Sequence, residues 1–159
     1  MSCDAAALAA TLWLASTSAA APPPQAPVAS PTPPSVASEP LFVGIVQRAA
    51  KLKAETAAWE KASLDTDFDH MAGASDFEAA VGQLSDLDMQ GHVQLVQRGY
   101  TDDLKCILKG ISQDLPRKFA ELTAATTPKD RATALDDMFY LLRDNVEVIT
   151  TPPTVTSGT

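Results

Sequence analysis

DLDMQGHVQLVQRGYTDDLKCILKGISQDL, residues 86–115, decides the fold. Within it Val93, Val96, Tyr100, Leu104, Ile107, Ile111 and Leu115 recur at steps of three and four, the signature of one helix face. Read as a single helix, the stretch is about 29 residues and ~44 Å long. Ser85, Asp86 and Asp88 supply a start, with carboxylates at the positive end of the helix dipole. Gly91, Gly99 and Gly110 each oppose a helix by up to ~1 kcal/mol. Gly99 is a candidate break, with Thr101 as the restart. Pro116 should end or kink the helix, because its ring removes a backbone donor, and Phe119 and Leu122 form a short apolar continuation.

The flanks read the same way. Phe42, Ile45, Val46, Ala49, Leu52, Thr56 and Trp59 form a helical stripe, with Lys51, Lys53, Glu55, Glu60 and Lys61 mostly off it. A loop is expected near 65–73. Ser75 and Glu78 then match a capping box before Phe77, Ala80, Val81 and Leu84 in a short second helix. Thr127-Pro128-Lys129-Asp130 combines an N-cap, a proline at the first helical position and an acid at the third. Leu135, Met138, Leu142, Val146 and Ile149 follow as a last helix. No window alternates strictly, so no sheet is expected. Each helix is amphipathic and none can bury its stripe alone. The fold class expected is all-α, an antiparallel bundle of four to five helices.

Around the bundle the chain divides further. Residues 5–38 carry no charge, and Ala5 to Leu14 is apolar apart from Thr11, followed by small residues through Ala21. Residues 1–20 thus read as a secretory signal, too short for a membrane span, although the start has no Lys or Arg and Asp4 has the wrong sign. Residues 21–40 read as a Pro/Ser/Thr-rich linker, with eight of the chain's twelve prolines between 22 and 40. In a secreted protein such a spacer is a candidate for O-glycosylation. Residues 41–149 are the bundle domain and 150–159 a disordered tail.

Composition excludes several functions. Twelve basic against 20 acidic residues give a net charge of −8, so nucleic acid is not an expected partner. Two cysteines exclude a disulfide-stapled scaffold, and two histidines cannot make a three-histidine zinc site. Asp65, Asp67 and Asp69 alternate like the start of a calcium loop, but His70 stands where that loop needs Gly and Asp76 where it needs Glu. His70 and His92 lack a helical pair spacing, and Cys106 reads as a half-buried structural thiol. Asp102/Asp103 and Asp136/Asp137 are neighbours in sequence, so on a helix they point about 100° apart and do not form an acid–base dyad. No nucleophile elbow, phosphate loop or HExxH is present. No enzymatic activity, metal or cofactor is expected.

Leu84-Ser85-Asp86-Leu87-Asp88, the long amphipathic helix, Leu115-Pro116-Arg117-Lys118-Phe119 and the final Leu-rich helix together resemble the hydrophobic surface-binding protein A family, the fungal cell wall galactomannoproteins. The resemblance covers about residues 41–149; the long Pro-rich leader departs from the family pattern. It implies a secreted helical bundle of the cell wall that adsorbs to hydrophobic surfaces and holds a fatty acid or other lipid between helices, with cell-wall polysaccharide as a further partner. In this chain Leu104, Ile107, Ile111, Leu135, Met138 and Leu142 are the candidate lipid contacts, equally readable as close-packed core. Two other expectations stand beside it: an extracytoplasmic, bacterial periplasmic helical module that holds a protein partner, and a structural wall protein without a ligand.

Overall fold

A computed structural model describes residues 35–62, 67–100 and 103–151. Four long helices make up the fold: α1 (Pro40–Glu60), α2 (Ala74–Gln97), α3 (Leu104–Ala124) and α4 (Pro128–Thr150), with a single 3₁₀ turn at Phe68–His70. No strand occurs among the described residues. Each helix packs closely against two others, α1 on α2, α2 on α3, α3 on α4 and α4 on α1. The four therefore form a ring, and α2 faces α4 across its diagonal. Cross-helix contacts show the sense of packing. Glu39, preceding α1, bonds Arg98 after α2, while Ser85 and His92 of α2 bond the carbonyls of Ser112 and Lys105 on α3. Lys118 of α3 reaches Asp137 of α4. Consecutive helices thus run antiparallel.

The buried positions follow one rule. On α1 they are Phe42, Ile45, Ala49, Leu52 and Thr56; on α2 Phe77, Val81, Leu84, Asp88, Gly91 and Leu95; on α4 Arg131, Leu135, Met138, Leu142, Asn145 and Ile149. The steps alternate between three and four. That is a seven-residue repeat, the period at which helices keep one seam facing their neighbours.

This register corrects the reading of residues 86–115. Val93 and Val96 lie on the solvent face of α2, 45% and 50% exposed, while Leu84, Asp88, Gly91 and Leu95 face inward. The stripe drawn through Val93, Val96 and Tyr100 joined the outer face of one helix to the inner face of the next. The helix is broken at Gly99, the candidate break in the sequence, whose φ of +67° is the left-handed conformation that ends α2. Upstream, α2 runs unbroken through Ser85 and begins at Ala74, after Gly73 at φ +87°. The Ser75–Glu78 capping box does not form, and no side chain caps this end. The helices among the described residues thus number four.

Pro116 does not end α3, which continues to Ala124. Proline at 116 cannot donate to the Ser112 carbonyl one turn earlier. Ser85 on the neighbouring helix replaces that donor, its hydroxyl lying 2.7 Å from the Ser112 carbonyl oxygen. A second side-chain contact holds the same interface: His92 Nδ1 lies 2.6 Å from the Lys105 carbonyl oxygen. At the start of α4 the expected cap is present, with the Thr127 hydroxyl accepting from the Asp130 amide at 3.1 Å.

The end of the bundle where α1 and α3 finish is closed by aromatic rings. Trp59 meets Phe68 edge-on at 5.2 Å and Phe77 at 4.8 Å, and Phe68 meets Phe119 at 5.7 Å. Beside them the buried Arg131 guanidinium donates to Asp67 at 3.0 Å and to the Ala125 carbonyl at 3.1 Å. Val36, within the stretch read from sequence as linker, is buried in the same core as the helices.

Candidate functional site

Five of the six candidate lipid contacts are buried: Leu104 and Ile111 on α3, and Leu135, Met138 and Leu142 on α4. Ile107 is half-buried against them. Two adjacent helices bring them into a single apolar interior, shared with Phe42, Ile45 and Leu84 of α1 and α2. Met138, Leu135 and Leu142 have no exposed surface at all. A guest would reach them only as helices part.

A groove of about 400 Å³ opens where α3 turns into α4. Ala124, Ala125 and Ala134 line it together with Glu121, Asp130 and Asp137. None of the six candidate contacts lines it. Its acids are partly engaged already, since Lys118 bonds both Glu121 and Asp137 at 2.7 Å.

The polar group that sequence reasoning missed lies deeper. Asp88 and Asn145 are both fully buried and face each other across the α2–α4 diagonal. The Asn145 amide nitrogen donates to Asp88 Oδ2 at 2.7 Å. Asp88 Oδ1 and Asn145 Oδ1 have no hydrogen-bond partner. Burial pushes the Asp88 carboxyl up to about 7, with the Asn145 bond pulling the other way. On the sequence alone Asp88 reads as part of a helix N-terminus. The usable signal was the three–four alternation through Phe77, Val81 and Leu84, which runs on to Asp88.

The remaining candidates are committed elsewhere. Asp67 serves Arg131, His70 is exposed, and His92 is bonded to the Lys105 carbonyl. Residues 65 and 66 of the calcium-like run, and Asp102, lie outside the described residues. Among the described residues no group of three His, Cys, Asp or Glu could hold a metal ion. Cys106 is half-buried and disulfide-bonded, which corrects the thiol expected from the sequence. Among the described residues no helix is long and apolar enough to cross a membrane.

No family model, curated protein or solved structure matches the chain.

Proposed function

We propose that the chain is a secreted, non-enzymatic helical protein of the cell wall that binds hydrophobic surfaces or lipids. The observation that carries this reading is the continuous apolar wall that α3 and α4 build from Leu104, Ile111, Leu135, Met138 and Leu142. The two helices are joined by residues 125–127 alone, and the groove lies beside that joint. Parting at that joint would expose apolar surface, and covering it with a lipid chain or a waxy face regains roughly 25 cal/mol per Å². Met138, flexible and polarizable, suits chains of varied shape. The charge-free leader and the Pro-rich stretch support export, and the resemblance to the hydrophobic surface-binding family supports the wall.

The test is titration of the full chain with a fluorescent fatty acid, together with native mass spectrometry of material recovered from the medium. Uptake at micromolar concentrations and a retained lipid mass are expected; absence of both overturns the reading. The same spectrum tests export. Loss of residues 1–20 is expected, and an intact mass that retains them overturns export.

A second reading, an extracytoplasmic module that holds a protein partner, is favoured by one observation: Val93 and Val96 stand exposed one turn apart on α2. Substituting both by Ser would weaken a protein complex while leaving lipid uptake unchanged.

A further inference from the structure

The central polar pair has an arrangement that one proton would complete. Asp88 and Asn145 are joined at one side by the amide-to-carboxyl bond, and the two unpartnered atoms are the remaining oxygen of each. Two bare oxygens have only acceptor lone pairs to offer, so neither can answer the other. A carboxylic acid has an O–H. Placed on Asp88 Oδ1, that hydrogen can be donated to Asn145 Oδ1, while the existing amide bond to Oδ2 remains. The result is a closed acid–amide ring with both buried oxygens satisfied.

We propose that Asp88 and Asn145 form a proton-operated latch across the bundle: neutral, the pair ties α2 to α4 by two hydrogen bonds; ionised, it holds one bond and a charge in the core. The latch joins the two helices that make little other backbone contact, so it acts on how tightly the ring closes.

The surroundings leave the proton as the means of neutralising Asp88. From α1 the buried layer is Phe42, Ile45 and Ala49, with no titratable group. From α3 it includes Leu108 and Ile111, and the one buried cation there, Lys105, turns its ammonium to the Tyr100 carbonyl. From α4 come Leu142 and Ile149 beside Asn145; the buried Arg131 is four turns away and bonded to Asp67. On α2 itself His92 is turned to the Lys105 carbonyl. Burial and the Asn145 bond are the influences on the carboxyl, and burial prevails, raising it from 3.8 to about 7.

The direction follows. An acid whose folded-state value is raised keeps its proton in the native chain while the unfolded chain has lost it. Its stabilisation is complete below 3.8, declines as pH rises, and is gone above about 7. This holds whether or not the interior takes up a lipid.

The experiment compares denaturant unfolding of the full-length chain and of Asp88→Asn between pH 4 and pH 8. Asparagine keeps the shape and the two-bond pairing without a titrating proton. The wild-type unfolding constant, relative to that of the variant, should rise by up to ~10-fold per pH unit through the window and level off above it. A ratio that stays flat overturns the latch. Should Asp88→Asn fail to fold, the Asp88→Leu/Asn145→Leu pair supplies the same non-titrating reference. Carboxyl-carbon NMR of the wild type gives a direct reading: a midpoint near 7 for Asp88 supports the proposal, and a midpoint in the ordinary aspartate range overturns it.

Discussion

The aromatic end of the bundle and its centre are built on opposite principles. At the end, Trp59, Phe68, Phe77 and Phe119 interlock, and the buried charge of Arg131 is answered by Asp67 and the Ala125 carbonyl. At the centre, Asp88 and Asn145 occupy core positions and leave two oxygens without partners. Aromatic pairs add ~0.5–1.5 kcal/mol each beyond the area they bury. A buried unsatisfied polar atom costs about 1–3 kcal/mol. The end therefore concentrates stability, and the centre holds a cost that a change of protonation can remove. A polar pair inside a seven-residue repeat also fixes register, since sliding either helix by one turn would separate the partners.

The largest way to break this contrast is Phe77→Ala. Phe77 is buried and meets three rings, Trp59, Phe68 and Phe119, so its loss should destabilise the chain by about 3–5 kcal/mol, read by denaturant unfolding. A loss under 1 kcal/mol would show that the aromatic end is not where the fold is anchored.

The next effect lies between the two regions, where Ser85 serves the carbonyl that Pro116 cannot. Ser85→Ala leaves the Ser112 oxygen without that donor and should cost ~1–3 kcal/mol. Pro116→Ala restores a backbone N–H on α3, so the same Ser85→Ala change in that background should cost less. A double-mutant cycle measures the coupling, and additive losses would refute the compensation.

Helix content was legible in the sequence, and so was the architecture that four amphipathic stripes require. The Thr127 cap was legible too, because the Thr-Pro-x-Asp pattern is local and its chemistry self-contained. The register of α2 was not. Its inward face carries Asp88 and Gly91, which look like solvent-facing residues, and its outer face carries Val93 and Val96, which look like core. Apolar periodicity alone followed the valines across Gly99 and fused two helices. Pro116 misled for a related reason: its compensation comes from Ser85, distant in sequence and adjacent only in the folded chain. That the candidate lipid contacts on α3 and α4 face the interior was legible, because their apolar spacing is helical. The polar pair was not, because Asp88 and Asn145 acquire meaning only by facing each other.

The smallest effect compares two glycines on α2. A Cβ at Gly82 meets nothing within 4 Å, so Gly82→Ala should gain ~0.5–1 kcal/mol from helix propensity alone. A Cβ at Gly91, one turn from Asp88, would lie 3.1 Å from Leu108 Cδ1 and 3.4 Å from both Ile45 Cδ1 and Phe42 Cε1. Crowding there should cancel the propensity gain or reverse it by about 1 kcal/mol. Thermal unfolding of the two single variants checks the difference. Equal gains would mean that the layer beside Asp88 has slack, which is what an interior that admits a lipid chain without prior opening would need; unequal gains mean that any guest must first part the helices.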